Sequence, residues 1–373
     1  MKLTRRGRRE WRIVLWIGMA SAVISGYFGL AIAPDDEHPV RAILLGVLTS
    51  LLIATPISIV EARRARGGPL RRLRRLPLAL YFAIKVVFYL LVIVFGLLMS
   101  RWIAAWTADR EISLDAVFGS SLVFAVAMSL VGNLIVEIGG LLGFATLENL
   151  LTGRYVQPRR EQRVFLLIDM RNSTGLAERL GPIRFHELLN WFLRDISDAA
   201  LECDAEIHKY VGDEAILTWP VDRALADGAC LACPFIVRDI IAGNREQYRA
   251  RFGVVPTFRA ALHCGEIVAG EIGDVRREIA YVGDTLNTTA RLLDATKAMG
   301  RDVLVSADLL QQTRLPADLR AEPLPTLEVR GRSAPLGIAA LRRSAPGGEA
   351  LDQAAQDALR QEDDEQHQQH TVD

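Results

Sequence analysis

Four apolar stretches in the first part of the chain, at residues 11–33, 42–60, 78–100 and 116–136, each reach the ~20 residues a helix needs to cross a bilayer core. No water is available there to satisfy an unpaired backbone N–H, so such segments span as helices. This divides the 373 residues into an oily, arginine-capped first part and a second part that reads as soluble. The 44 basic and 44 acidic residues balance, which gives no argument for a nucleic-acid partner, and none is expected.

The arginines set the expected orientation. Arg5, Arg6, Arg8 and Arg9 precede the first stretch and no small-residue cleavage site clearly follows it, which reads as a retained anchor rather than a removable leader. Arg63, Arg64, Arg66, Arg71, Arg72, Arg74 and Arg75 lie between the second and third stretches, whereas Asp35, Asp36 and Glu37 follow the first. The positive-inside rule then places both termini in the cytosol of a multi-pass inner (plasma) membrane protein, with the lipid bilayer as a partner. Lys85 inside the third stretch is expected to snorkel toward the interface and Glu137, at the inner end of the fourth, to lie at the edge of the hydrocarbon, with a signalling role for either as the alternative.

Residues 1–136 are accordingly expected to form a four-span membrane domain, and 137–160 a junction helix with a narrow apolar stripe through Leu147, Leu150 and Leu151. Residues 161–343 then form the cytosolic domain, and 344–373, rich in Gln, Asp and Glu, a disordered tail. Cys203, Cys230, Cys233 and Cys264 all fall in the cytosolic part; one CxxC without a second pair or nearby histidines reads as small apolar core rather than a zinc site.

Within that part, residues 163–169 (RVFLLID) form an uninterrupted apolar run ending in an acid, as in a strand buried on both faces with a carboxylate at its rim. Leu176, Leu180, Leu188, Leu189, Phe192 and Ile196 recur at helical spacing, and short strands are expected at 206–209 and 214–219 around Val211, Gly212 and Asp213. A long helical segment over 223–251 precedes strand-like runs at 257–263, 266–272 and 278–282. The resulting βαββαβ order predicts an α+β sheet with helices on one face, broadly ferredoxin-like. After Asp169, the polar turn Met170-Arg171-Asn172-Ser173-Thr174 enters a helix, whose free N–H groups suit phosphate oxygens beside a carboxylate-bound metal.

Five segments in order, FLLIDMRNST, KYVGDEAILTW, FRAALHCGEIVAGEIG, YVGDTLNTTARL and EVRGR, resemble the class III adenylate and guanylate cyclases over roughly residues 163–341. The resemblance implies a class III cyclase catalytic domain acting as an adenylate cyclase, taking ATP to 3′,5′-cyclic AMP and pyrophosphate. Asp169 and Asp213 would bind two divalent ions, Mg²⁺ or Mn²⁺, per site. Arg259 corresponds to the family's terminal-phosphate arginine, and Arg330, with Arg332 a near alternative, to a further phosphate-binding cation. Asn287 and Arg291, four apart on one helical face, would orient the ribose and stabilise charge on the transferring phosphoryl group. Because the family shares each site between two chains and this chain holds both residue sets, a homodimer through the catalytic domain is implied.

Base choice in the family rests on the lysine matched by Lys209 and on a polar residue seven positions before the asparagine. Here the second position is Ala280, which leaves either backbone, a neighbour such as Thr285, or relaxed purine selectivity. Lys209 favours adenine over guanine. The alternatives are a guanylate or mixed-purine cyclase, and a catalytically silent cyclase-like receptor module.

Overall fold

The computed structural model describes residues 5–31, 38–63, 76–108, 116–225, 228–275, 277–328 and 335–344. Arg330, Arg332, the acidic 35–37, the arginines at 64–75 and the tail 345–373 lie outside the described residues. The chain divides into two compact units, Met1–Leu147 and Glu148–Asp373.

The first unit is helical: α1 (Arg5–Ala31), α2 (Pro39–Arg63), α3 (Leu78–Ala108) and α4 (Ala116–Leu142), with α5 (Phe144–Thr152) beginning at its end. Among the described residues three segments, Pro39–Val60, Leu80–Trp106 and Val117–Gly139, are long and apolar enough to cross a membrane, whereas the apolar part of α1, Leu15–Ala31, is shorter. The α1–α2 pair closes on glycine: a Cβ at Gly46 would lie 2.3 Å from the Ser25 carbonyl oxygen, and one at Gly29 2.6 Å from that of Ala42. Small residues at such crossings are what let helix backbones touch.

Lys85 and Glu137 meet as a pair. Lys85 Nζ donates to Glu137 Oε1 at 3.0 Å, joining α3 to α4, and sits 5.6 Å from the ring centres of both Tyr81 and Tyr89. Mutual neutralisation supplies a partner where the surroundings offer little water.

In the second unit β1 (Arg159–Met170) starts inside the segment expected to be junction helix. It is followed by α6 (Ser173–Leu180), α7 (Pro182–Glu202), β2 (Glu206–Val211) and β3 (Glu214–Pro220). Three helices, α8 (Val221–Leu225), α9 (Ala229–Gly243) and α10 (Arg245–Phe252), replace the single helical segment expected over 223–251. Then come β4 (Phe258–Ile272), β5 (Glu278–Val282), α11 (Asp284–Ala298), β6 (Val303–Ser306), α12 (Ala307–Gln312), β7 (Leu319–Leu327) and β8 (Leu336–Arg343). The two runs expected at 257–263 and 266–272 are one 15-residue strand, β4. Its Gly265 has no Cβ because one would meet Thr285 Oγ1 at 2.6 Å.

The sheet order is β2-β3-β1-β4-β6-β8-β7, with β5 on the far part of β4. β1 is central, antiparallel to β3 and to β4. Its side chains alternate between two cores: Val164, Leu166 and Ile168 pack with Leu188, Phe192 and Ile196 of α7 and Leu231 and Val237 of α9. Phe165 and Leu167 pack instead with Leu292 and Leu293 of α11. Helices therefore cover both faces, not one. That is why the β1 run is apolar without alternation, since a strand buried on both sides has no solvent face to carry polar residues. The four cysteines are buried, and burial pushes the thiols of Cys230 and Cys264 up to about 12 and about 11.

Candidate active site

Register decides what meets Asp169. One residue before the end of β1 it lies opposite Glu214 of β3 on one side and Arg259 of β4 on the other. Arg259 Nη2 donates to Asp169 Oδ2 at 2.7 Å, while the buried Arg259 Nε has no hydrogen-bond partner. Asp213 stands in the tight turn of the β2–β3 hairpin, after Gly212, whose φ of 61° is a left-handed conformation that suits glycine. This turn brings Asp213 near enough to act on Asp169. Burial first, and then the Asp213 charge, raise the Asp169 carboxyl above its ordinary range against the pull of Arg259.

The same crowding falls on Glu214. Burial, followed by Asp169, Asp213 and Asp294, moves its carboxyl from 4.5 up to about 7. Carboxylate oxygens with no nitrogen or sulfur ligand among them are the donor chemistry of hard divalent cations, and Asp169 with Asp213 fit such ions in that respect. Among the described residues no group of three or more His, Cys, Asp or Glu forms a metal cage. Mg²⁺ with a nucleotide typically takes only one or two carboxylates, the remaining positions going to phosphate and water.

The turn after β1 leads into α6 through Asn172, which is left-handed (φ 51°) and whose side chain makes no capping bond. The side chain leans over Gly175, where a Cβ would meet Asn172 Oδ1 at 2.6 Å. Ser173 is half-buried and Thr174 exposed, so the first turn of α6 presents backbone N–H groups with no partner inside the helix. Lys209 is exposed on β2, and Ala280 on β5 pairs with Gly270. The Thr285 hydroxyl donates to the Glu266 carbonyl at 2.7 Å in a buried position, which removes it as a replacement donor for the side chain missing at 280. Asn287 is exposed and Arg291 half-buried on one face of α11.

The structure thus brings Asp169, Asp213 and Arg259 together and sets the 172–174 turn directly after Asp169. Sequence reasoning missed Glu214 and Asp294. Strand patterning marks Glu214 as the start of β3 but not the β1–β3 pairing that sets it opposite Asp169, and Asp294 had no comparable signal.

No family model matches the chain. It is 38% identical over 331 residues to Adenylate cyclase 2 of Rhizobium meliloti (strain 1021), covering 85% of this chain and 88% of that protein. A shorter match, 24% over 178 residues, joins it to an adenylate cyclase of Anabaena cylindrica, covering 46% of this chain and 35% of that one. Among solved structures, the adenylyl cyclase CyaB from P. aeruginosa aligns with a TM-score of 0.45 at 22% identity, over 51% of this chain and 98% of that one. The guanylyl cyclase Cya2 aligns at 0.44 and 21%, over 50% and 95%.

Proposed function

The chain belongs to the class III adenylate/guanylate cyclase family, and from that membership we propose that it is a membrane-anchored adenylate cyclase whose cytosolic unit converts ATP to 3′,5′-cyclic AMP and pyrophosphate. The observation that carries the reading is the convergence of Asp169, Asp213 and Arg259 at adjoining strand ends, beside a helix-opening turn. The βαββαβ portion is read as ferredoxin-like, the membrane domain as four spans with both termini cytosolic, and the working form as a homodimer.

Two divalent ions, Mg²⁺ or Mn²⁺, held by Asp169 and Asp213 would neutralise the triphosphate and favour ionisation of the ribose 3′-hydroxyl. The backbone N–H groups of the turn at Asn172, Ser173 and Thr174 receive phosphate oxygens. Arg259 lends its guanidinium to the terminal phosphate, with Arg330 or Arg332 as a further cation. Asn287 orients the ribose and Arg291 donates to the charge that builds up as the 3′-oxygen bonds to the α-phosphorus and the bond to the bridging oxygen breaks. Lys209 accounts for adenine preference.

A guanylate or mixed-purine activity is the second reading, favoured by Ala280 together with the commitment of Thr285 to Glu266. Purified protein given ATP or GTP with Mg²⁺ or Mn²⁺ separates the two, and cyclic AMP is the expected main product. Asp169→Asn and Asp213→Asn should each abolish turnover while leaving the protein folded. Near-normal activity in either at saturating metal would reject the site, and no cyclic nucleotide from the parent would leave a silent receptor module.

A further inference from the structure

We propose that Asp302 is a positioning residue that fixes the turn after Asp169 through Arg171, an inference that rests on the cyclase reading for its functional consequence. Asp302 lies between α11 and β6, far in sequence from the turn it touches. Arg171 leaves β1 with its backbone N–H bonded to the Thr257 carbonyl at 2.9 Å, and its guanidinium Nη2 bonds Asp302 Oδ1. The second oxygen, Oδ2, accepts from Arg238 Nη2 of α9 at 3.3 Å. The Asp302 backbone carbonyl in turn accepts the Ala260 N–H at 2.8 Å, next to Arg259. One residue therefore holds the turn by its side chain and the arginine strand by its main chain.

The neighbours of Arg171 show why such an anchor matters. Met170 before it is buried and fixed in the sheet, but Asn172 after it is left-handed, exposed and without a capping bond. The 172–174 N–H groups thus keep their aim through Arg171 rather than through a cap of their own. Asp302 also pairs the charge of Arg171, two residues after Asp169 in the chain. Outer partners of this kind usually change metal affinity or activity by about 10- to 100-fold when removed.

The test uses full-length protein in detergent, with Asp302→Asn, Arg171→Gln, the double variant and Arg238→Gln. Amide hydrogen exchange in metal-free protein should quicken at 171–175 in the first three, and the half-saturating Mn²⁺ concentration for turnover should rise about tenfold with a smaller change in kcat. The double variant should be no worse than either single, since both remove one link, whereas Arg238→Gln leaves that link intact and should stay within about twofold of the parent. Asp302→Glu should recover part of the Mn²⁺ effect. Unchanged exchange at 171–175, or additive losses in the double variant, overturns the proposal. If Asp302→Asn fails to fold, Arg171→Gln carries the same test. If the parent makes no cyclic nucleotide while the variants still show the exchange changes, the cyclase reading is rejected and the anchor stands.

Discussion

Glu214 carries the heaviest electrostatic burden at the strand ends, because it begins β3 opposite Asp169 and next to Asp213. Its folded carboxyl titrates at about 7 against 4.5 unfolded, so the fold disfavours its charge. Below pH 4.5 both states hold the proton and nothing is lost. Between pH 4.5 and about 7 the unfolded carboxyl ionises while the folded one still holds its proton, so stability falls across this window. Glu214→Gln should therefore melt at a higher temperature than the parent in EDTA near pH 8 and close to the parent near pH 4.5; an advantage that does not grow with pH would contradict this. Added Mn²⁺ should shrink the difference by drawing the neighbouring carboxylates to itself. At this scale the positions of Asp169 and Asp213 were legible because the first ends a strand pattern and the second follows one, whereas Arg259, near the start of β4, was marked only by the family resemblance. The Arg171–Asp302 bond was not, since its partners lie 131 residues apart and neither stands in a patterned segment.

Among elements, β1 was readable from its unbroken apolar run, and the reason is the double burial that α7 and α11 impose on it. The helix face assignment failed because amphipathic spacing says that a helix buries a stripe, not which side of the sheet receives it. Strands β6 to β8 escaped notice for local reasons: Val303–Ser306 is four residues long, and Leu319–Leu327 contains Pro323 and Pro325. In the membrane unit, the Lys85–Glu137 bond is an element-to-element link with a measurable value. Lys85→Met should cost about 3–5 kcal/mol by leaving Glu137 without its lysine, whereas Lys85→Met with Glu137→Leu should recover much of that loss. Denaturation in detergent checks the difference, and equal losses in the single and double variants would show that the pair is not coupled.

For the whole molecule, the shared-site reading makes a prediction that no single chain can satisfy. Chains bearing Asp213→Asn or Arg291→Ala should each be nearly inactive alone, the second by about 10²- to 10³-fold. Co-expressed, mixed dimers hold one doubly damaged site and one intact site, so activity should return, up to about half per mixed dimer. Failure to rescue with mixed dimers present would place both residues in one chain's site. Reporter fusions after Arg75 and after Arg160 should read cytosol and those near Asp36 and Asp109 the opposite side; an external signal after Arg160 would part the catalytic unit from ATP. The placement of β1 also has a consequence for how the protein is made. Within the second unit β1 is the first strand made, yet its ladder closes only when Phe258 pairs with Met170, and β6 must then wait for β8 at Leu336–Arg343. Until β4 is made, the apolar stretch of β1 is an open edge, so nascent chains halted before β4 should be the aggregation-prone and chaperone-dependent species.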